Sequence, residues 1–91
     1  MNVHKVPIKN KQKIFQILRD ADVLFINNMP IVPIYSTENK IQLNSERQIM
    51  LDDLDCILTL PDSDFTPRTL YLKDGRSVIA MKYENVALID D

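Results

Sequence analysis

The chain has 91 residues, of which 45% are hydrophobic and 26% charged, and its net charge at pH 7 is −2. These values are typical of one small globular domain and exclude an intrinsically disordered chain. No apolar run approaches the roughly 20 residues that a membrane-spanning helix needs, and the first residues lack the apolar region of a secretory signal. Because Cys56 is the only cysteine, a disulfide framework is excluded, and we expect a reducing, cytoplasmic location.

Residues 1–9 alternate apolar and polar side chains, and Pro7 favours an edge strand or an extended arm for them. From Asn10 the period of the pattern changes to that of a helix. The apolar side chains that fall on one helical face are Ile14, Ile17, Leu18 and Ala21. The pattern predicts a helix over residues 10–21, with Asn10 as its N-cap.

A predicted meander of three strands follows almost without a loop. Its strands are residues 23–26, 31–36 and 40–44. Asn27-Asn28 is a suitable turn between the first two, because asparagine tolerates a positive φ. Pro33 donates no hydrogen bond to a neighbouring strand, so the second strand is predicted to lie at an edge, or to be bulged or broken there.

The next segment has the features of a second helix. Ser45 and Gln48 have the spacing of a capping box. The apolar side chains with helical spacing are Met50, Leu51, Leu54, Ile57 and Leu58. We therefore predict a helix over residues 46–59, ended by Pro61, with Asp52, Asp53 and Asp55 on its solvent-exposed face.

Residues 69–89 predict a second three-stranded meander, because Gly75 follows Asp74 between two apolar runs, a strong hairpin signal. A similar pattern of apolar and polar residues occurs at residues 23–43. When the two stretches are aligned, Leu24 corresponds to Leu70 and Val32 to Val78. The predicted fold is α+β with two helices and two meanders, an αβββ-αβββ order that suggests an internal duplication. Residues 1–91 form one domain, with units at 10–44 and 45–91.

The residue types needed for catalysis are scarce in this chain. His4 is the only histidine, and Cys56 has acidic neighbours that raise a thiol pKa. A single glycine excludes the glycine-rich loops that bind phosphates. Asp62-Ser63-Asp64 matches the start of a calcium loop, but the glycine and the glutamate that should follow are missing. We predict no catalytic residue, no cofactor and no metal site.

Two groups of charged side chains are candidates for an interaction surface. The acidic group, which suits a basic partner, comprises Asp52, Asp53 and Asp55. The basic group, in which an aromatic ring offers a stacking platform for nucleic acid, comprises Arg68, Lys73, Arg76 and Lys82 with Tyr71.

Apolar side chains on both faces of the predicted strands favour a homodimer, because two helices cover only one face of a sheet in a domain of this size. Ile79 and Met81 beside Val78 are examples. We predict a non-catalytic protein-binding regulatory module, an adaptor or inhibitor of a larger protein, of the kind found in bacteria and phages. Its protein partner is not identified by the sequence.

The alternative is a β-type transcriptional regulator that binds nucleic acid. The predicted order of elements resembles that of the LytTR DNA-binding domain. It consists of three strands, a helix with the pattern L-x-x-L that ends in Leu60-Pro61, and then Phe65 and further strands. The string is LDDLDCILTLPDSDFTPRTLYL. The histidine-arginine-serine signature of that family is absent, with Thr66-Pro67-Arg68-Thr69 in its place, so no residues are carried over.

Overall fold

The computed structural model of the chain describes residues 4–59 and 69–82. Within these ranges the chain forms one α-helix and nine β-strands, so the fold is mainly β. Helix α1 spans Lys11–Asp20. The strands are β1 His4–Pro7, β2 Val23–Ile26, β3 Met29–Ile31, β4 Tyr35–Ser36, β5 Lys40–Gln42, β6 Gln48–Met50, β7 Leu54–Thr59, β8 Leu70–Leu72 and β9 Ser77–Met81.

The strands form two antiparallel sheets. The larger has six strands in the order β1-β7-β8-β9-β2-β3, and the smaller has three in the order β4-β5-β6. In the larger sheet Leu24 of β2 lies opposite Ile31 of β3 on one side and Ala80 of β9 on the other. Among the described strands, β3 and β4 are each the last strand of a sheet, and the chain passes from one to the other through residues 32–34.

One hydrophobic core unites both sheets and the helix. Alternation along the strands of the larger sheet puts Leu24, Leu70 and Val78 on the buried face and their neighbours on the other. The buried side chains from the helix are Ile14, Phe15 and Leu18, and those from the smaller sheet and the loop after β5 are Ile41, Leu43 and Ile49. All belong to a single cluster.

The first half of the predicted order is largely confirmed. The side chain of Asn10 accepts a hydrogen bond from the backbone N–H of Lys13 at 3.1 Å, as an N-cap should, and the helix begins at the next residue. Asn27 and Asn28 have φ of 51° and 68°, which makes their hairpin a two-residue turn of type I′. The backbone N–H of Ala21 closes the helix by donating to the carbonyl of Leu18.

The predicted strand over residues 31–36 is wrong as a continuous strand. β3 ends at Ile31 and β4 begins at Tyr35, in a different sheet, with Pro33 between them. This is the broken alternative, and its cause is the missing N–H and fixed φ of proline. The third strand is shorter than predicted and ends at Gln42.

The predicted helix over residues 46–59 is wrong. The segment forms β6, then a 3₁₀ turn at Leu51–Asp53, then β7. The predicted capping box at Ser45 and Gln48 is also absent, because it is the side chain of Asn44 that accepts hydrogen bonds from Glu46 N–H and Arg47 N–H, both at 2.8 Å. That arrangement closes the loop between β5 and β6 instead of starting a helix.

A β-bulge explains why the pattern resembled a helix. The register between β7 and β8 shifts between Leu54 and Cys56, so that Leu54 faces Leu72 and Ile57 faces Leu70. Because of the extra residue, two buried side chains of one strand are three residues apart, the spacing of a helix face. The α+β fold with two helices and two meanders is therefore contradicted.

The predicted hairpin at Gly75 is confirmed. Gly75 has φ of 96°, and its N–H donates to the carbonyl of Leu72 at 2.9 Å, between β8 and β9. The predicted third strand of this meander lies outside the described residues. The αβββ duplication is overturned, because residues 4–59 and 69–82 contain one helix where it requires two. The positions it pairs also differ in burial, since Val32 is 68% exposed whereas Val78 is fully buried.

The order of elements shared with the LytTR domain is overturned as well. Its helix reading L-x-x-L falls on the 3₁₀ turn and strand β7, so the chain has a strand where the resemblance requires a helix.

Asp53 and Asp52 provide a matched test of the 3₁₀ turn. The carboxylate of Asp53 accepts a hydrogen bond from the half-buried N–H of Met50 at 2.8 Å, whereas Asp52 is exposed. We expect Asp53→Ala to lower the free energy of unfolding in urea by about 1–2 kcal/mol, because Met50 N–H loses its acceptor. Asp52→Ala should change it by less than about 0.5 kcal/mol. Equal effects would show that the turn does not depend on this bond.

Candidate interaction surface

The large apolar side chains that are most exposed lie together in sequence. Met29, Val32, Ile34 and Tyr35 are exposed by 65%, 68%, 63% and 49%. They fall where the chain leaves the edge of one sheet and enters the edge of the other. We call residues 29–35 the apolar segment. Exposed apolar side chains are unremarkable singly, but a contiguous group of them is typical of an interaction site.

The break at Pro33 produces this exposure. Ile31 still points toward the core, opposite Leu24, and is half-buried. Ile34 donates its N–H to the carbonyl of Gln42 at 2.8 Å, so the backbone is already tied to the smaller sheet there. Val32, between these two points, and the side chain of Ile34 itself project away from the core.

The apolar segment lies in an uncharged part of the chain. No Asp, Glu, Lys, Arg or His occurs from residue 23 to residue 37, in a protein of which 26% is charged. Asp22 and Glu38 border this stretch. Charged side chains come only to its border, where the Nζ of Lys40 lies 5.4 Å from the centroid of the Tyr35 ring and Arg19 and Asp22 line the adjoining groove. The surface is therefore apolar and close to neutral.

Pro30 makes the edge of β3 a poor template for another strand. In a two-residue hairpin the residues beside the turn, Ile26 and Met29, exchange their hydrogen bonds, so the backbone of Pro30 at the next pair faces outward. A proline has no N–H to offer there. At Pro30 the apolar segment therefore lacks the backbone N–H that the addition of another strand needs, and its exposed surface consists of side chains.

The predicted acidic residues do not form one helical face. Asp52 is exposed in the 3₁₀ turn, and Asp55 is exposed at the bulge of β7. Asp53 is half-buried and engaged, through its carboxylate with Met50 N–H and through its carbonyl with Lys73 N–H at 2.8 Å. The three carboxylates are therefore distributed over a turn and a strand.

The predicted basic residues are likewise only partly brought together. Arg76 is held by Asp74, with its Nε 2.8 Å from the carboxylate, and donates through Nη2 to the carbonyl of Gln48 at 3.2 Å. These contacts join the β8–β9 hairpin to the smaller sheet. Lys73 and Lys82 are exposed. Arg68 lies outside the described residues.

Tyr71 lies on the face of the larger sheet opposite the core, next to Cys56 in β7. The Nζ of Lys5 is 4.3 Å from the centroid of its ring, so this ring already has a cation over it. Burial raises the pKa of the Cys56 thiol, and the negative charge of Asp55 raises it further, against an opposing effect of Lys5. Cys56 is thus a protonated, half-buried thiol and not an activated nucleophile.

Backbone N–H of Arg76 donates to the Asp74 carboxylate at 3.0 Å and holds the pKa of that carboxyl below its usual value, helped by the Arg76 side chain. Since the folded-state pKa is depressed, this contribution to stability is present at neutral pH and is lost as the pH falls.

The sequence predicts a strand with apolar side chains on both faces over residues 31–36, which counts Val32 and Ile34 among the reasons for a homodimer, but it does not show that they lie outside both sheets. One signal for the apolar segment was nevertheless visible, the absence of charge from residue 23 to residue 37.

Comparison with models of protein families, with curated proteins and with solved structures finds no match to this chain. In the part of the chain that the structure describes, no helix is long and apolar enough to cross a membrane. Over the same residues, no group of three histidine, cysteine or acidic side chains is placed to hold a metal ion.

The raised pKa of Cys56 has a measurable consequence. Its protonated form is favoured in the folded state, so this contribution to stability is present below the thiol pKa of the unfolded chain and is lost as the pH rises through the folded value. The rate of alkylation by iodoacetamide should rise with pH at a higher midpoint in the native protein than in urea. Asp55→Asn should lower the native midpoint, and Asp52→Asn should leave it unchanged. A native midpoint at or below that of the unfolded chain would contradict this assignment.

Proposed function

We propose that the chain is a protein-binding module that works as a homodimer, with the apolar segment at the interface between its two copies. The observation that carries this proposal is the exposure of Val32 and Ile34, 68% and 63%, in the middle of a neutral surface. Isolated exposed side chains of this size are common, but adjacent ones with no charge between them favour burial against a protein.

The lack of charge favours a second copy as the partner. A two-fold axis brings each surface residue close to its equivalent, so a charge near the axis faces the same charge. Residues 23–37 contain no such charge, so the apolar segment can face itself without electrostatic repulsion. A charged partner protein would gain nothing from this surface beyond apolar contact.

The area of the surface is compatible with a weak to moderate dimer. If a fully exposed side chain of this size presents about 200 Å², the four exposed residues offer on the order of 500 Å² per copy. A standard interface buries about 800 Å² per partner. The adjoining groove is lined by Leu18, Ala21, Pro33 and Tyr35 but also by the charged side chains of Arg19 and Asp22, so the neutral contact area is that of the segment itself.

Contact in the proposed dimer is made through side chains and not through a continuous sheet, because Pro30 occupies the outward position of β3. The role that follows is regulatory binding of another protein by a paired scaffold, without catalysis and in a reducing compartment such as the cytoplasm. The single cysteine of the chain, which cannot form a disulfide within it, suits such a compartment.

Nucleic-acid binding is not favoured by the contacts of its candidate residues. Arg76 is paired with Asp74, and the ring of Tyr71 already lies under Lys5. A net charge of −2 adds to this argument.

The dimer is tested by introducing charge into the apolar segment. We expect wild-type protein to have the mass of a dimer in light scattering at high micromolar concentration and to dissociate on dilution. Val32→Glu combined with Ile34→Glu should give monomers at every concentration, because each acid would face its own copy across the two-fold axis. Both side chains are exposed, so folding should be unaffected.

The matched control is Ser45→Glu combined with Gln48→Glu, which adds the same charge at two other exposed positions. This variant should dimerise as the wild type does. Monomeric wild-type protein at high micromolar concentration would overturn the proposal, as would a dimer that both double variants leave intact.

A further inference from the structure

A second surface, separate in chemistry from the apolar segment, lies on the exposed side of the helix. Gln12, Gln16 and Arg19 are spaced so that they share one face of α1. The turn between β4 and β5 contributes Glu38 and Asn39 to the same cavity, and the 3₁₀ turn contributes Leu51. These six residues line a cavity of about 460 Å³, which we call the polar cavity. Its volume is within the usual range of small-molecule sites.

Arg19 is incompletely satisfied at the wall of this cavity. One of its terminal nitrogens, Nη1, donates to Oε1 of Gln16 at 3.1 Å, and Nε2 of Gln16 in turn donates to Asp20 at 3.0 Å. The Nε of Arg19 is buried and, among the described residues, finds no acceptor. A buried donor without a partner is destabilising, so the guanidinium gains if an acceptor reaches it.

The opposite wall is held in place. Asn39 accepts a hydrogen bond from the backbone N–H of Leu51 at 2.9 Å through its carbonyl, and another from the hydroxyl of Thr37 at 3.2 Å through its side chain. The turn that carries Glu38 is thus attached to the 3₁₀ turn. Positioned walls reduce the entropy lost when a ligand binds.

We propose that the polar cavity binds a small zwitterion of the α-amino-acid type. The guanidinium of Arg19 turns toward the ligand and takes its carboxylate, which gives Nε an acceptor. The carboxylate of Glu38 on the facing wall receives the ligand ammonium. The side-chain amides of Gln12, Gln16 and Asn39 offer hydrogen bonds to further polar atoms.

The opposite charges of the two walls select this ligand class. A doubly charged phosphate would be attracted by Arg19 but repelled by Glu38, and a simple carboxylate would leave Glu38 without a partner. A molecule that carries both charges, a few bonds apart, satisfies both walls.

The inference is independent of the proposed dimer. Arg19 lines both the polar cavity and the groove beside Pro33 and Tyr35, but none of the residues of the apolar segment lines the polar cavity. The monomeric Val32→Glu and Ile34→Glu double variant should therefore bind the ligand as the wild type does. Failure of one proposal would leave the other standing.

The test is an NMR titration of the full chain with L-glutamine as the probe, following the Nε–Hε signal of Arg19. We expect a saturable shift of that signal, with acetate binding about tenfold more weakly and inorganic phosphate more weakly still, because each lacks the contact with Glu38. Glu38→Gln should weaken binding of L-glutamine about tenfold but should not weaken acetate binding, because acetate makes no favourable contact with Glu38. Arg19→Met should abolish both.

Glu38 is exposed in a turn, so its variant tests the site even if Arg19→Met fails to fold. Three results would overturn the proposal. They are no shift with millimolar L-glutamine, equal binding of L-glutamine and acetate, and unchanged L-glutamine binding in Glu38→Gln.

Discussion

The constraint on which the architecture depends is the proline-containing connection between the two sheets. Pro30 limits β3 to a place at the edge, and Pro33 prevents the strand from continuing. The chain therefore leaves the six-stranded sheet and enters the three-stranded one through residues 32–34, with its backbone tied again at Ile34. Because the apolar side chains of this connection lie between two sheet edges and not in a strand, neither sheet covers them. The fold and the proposed interface thus have the same origin.

The part of the fold that the sequence predicts is the part governed by local chemistry. Asn10 caps the helix through a contact three residues away, and Gly75 takes a positive φ in its hairpin. The region around Leu54 and Ile57 could not be predicted in this way. Their three-residue spacing arises from a bulge against β8, which depends on a partner strand more distant in sequence, and a helix produces the same spacing. Periodicity alone does not separate the two.

The candidate surfaces were predictable to different degrees. Charged residues stand out in a sequence, yet Asp53 and Arg76 make contacts that stabilise turns and join the sheets. The apolar segment is indicated only by missing charge. Arg19 and Glu38 line the polar cavity together although they belong to different elements of the chain, and no local sequence pattern predicts that they share a cavity. The proposed interface thus depends on exposure and neutrality, while Asp53 and Arg76 stabilise the fold.

The central claim is that the apolar segment meets its own copy. It is tested most directly by isotope-filtered NMR on a mixture of labelled and unlabelled protein, which detects only contacts between copies. The account predicts intermolecular contacts from the methyl groups of Val32 and Ile34 to the same segment of the second copy. Intermolecular contacts confined to other surfaces, or none at a concentration where a dimer is present, would contradict it.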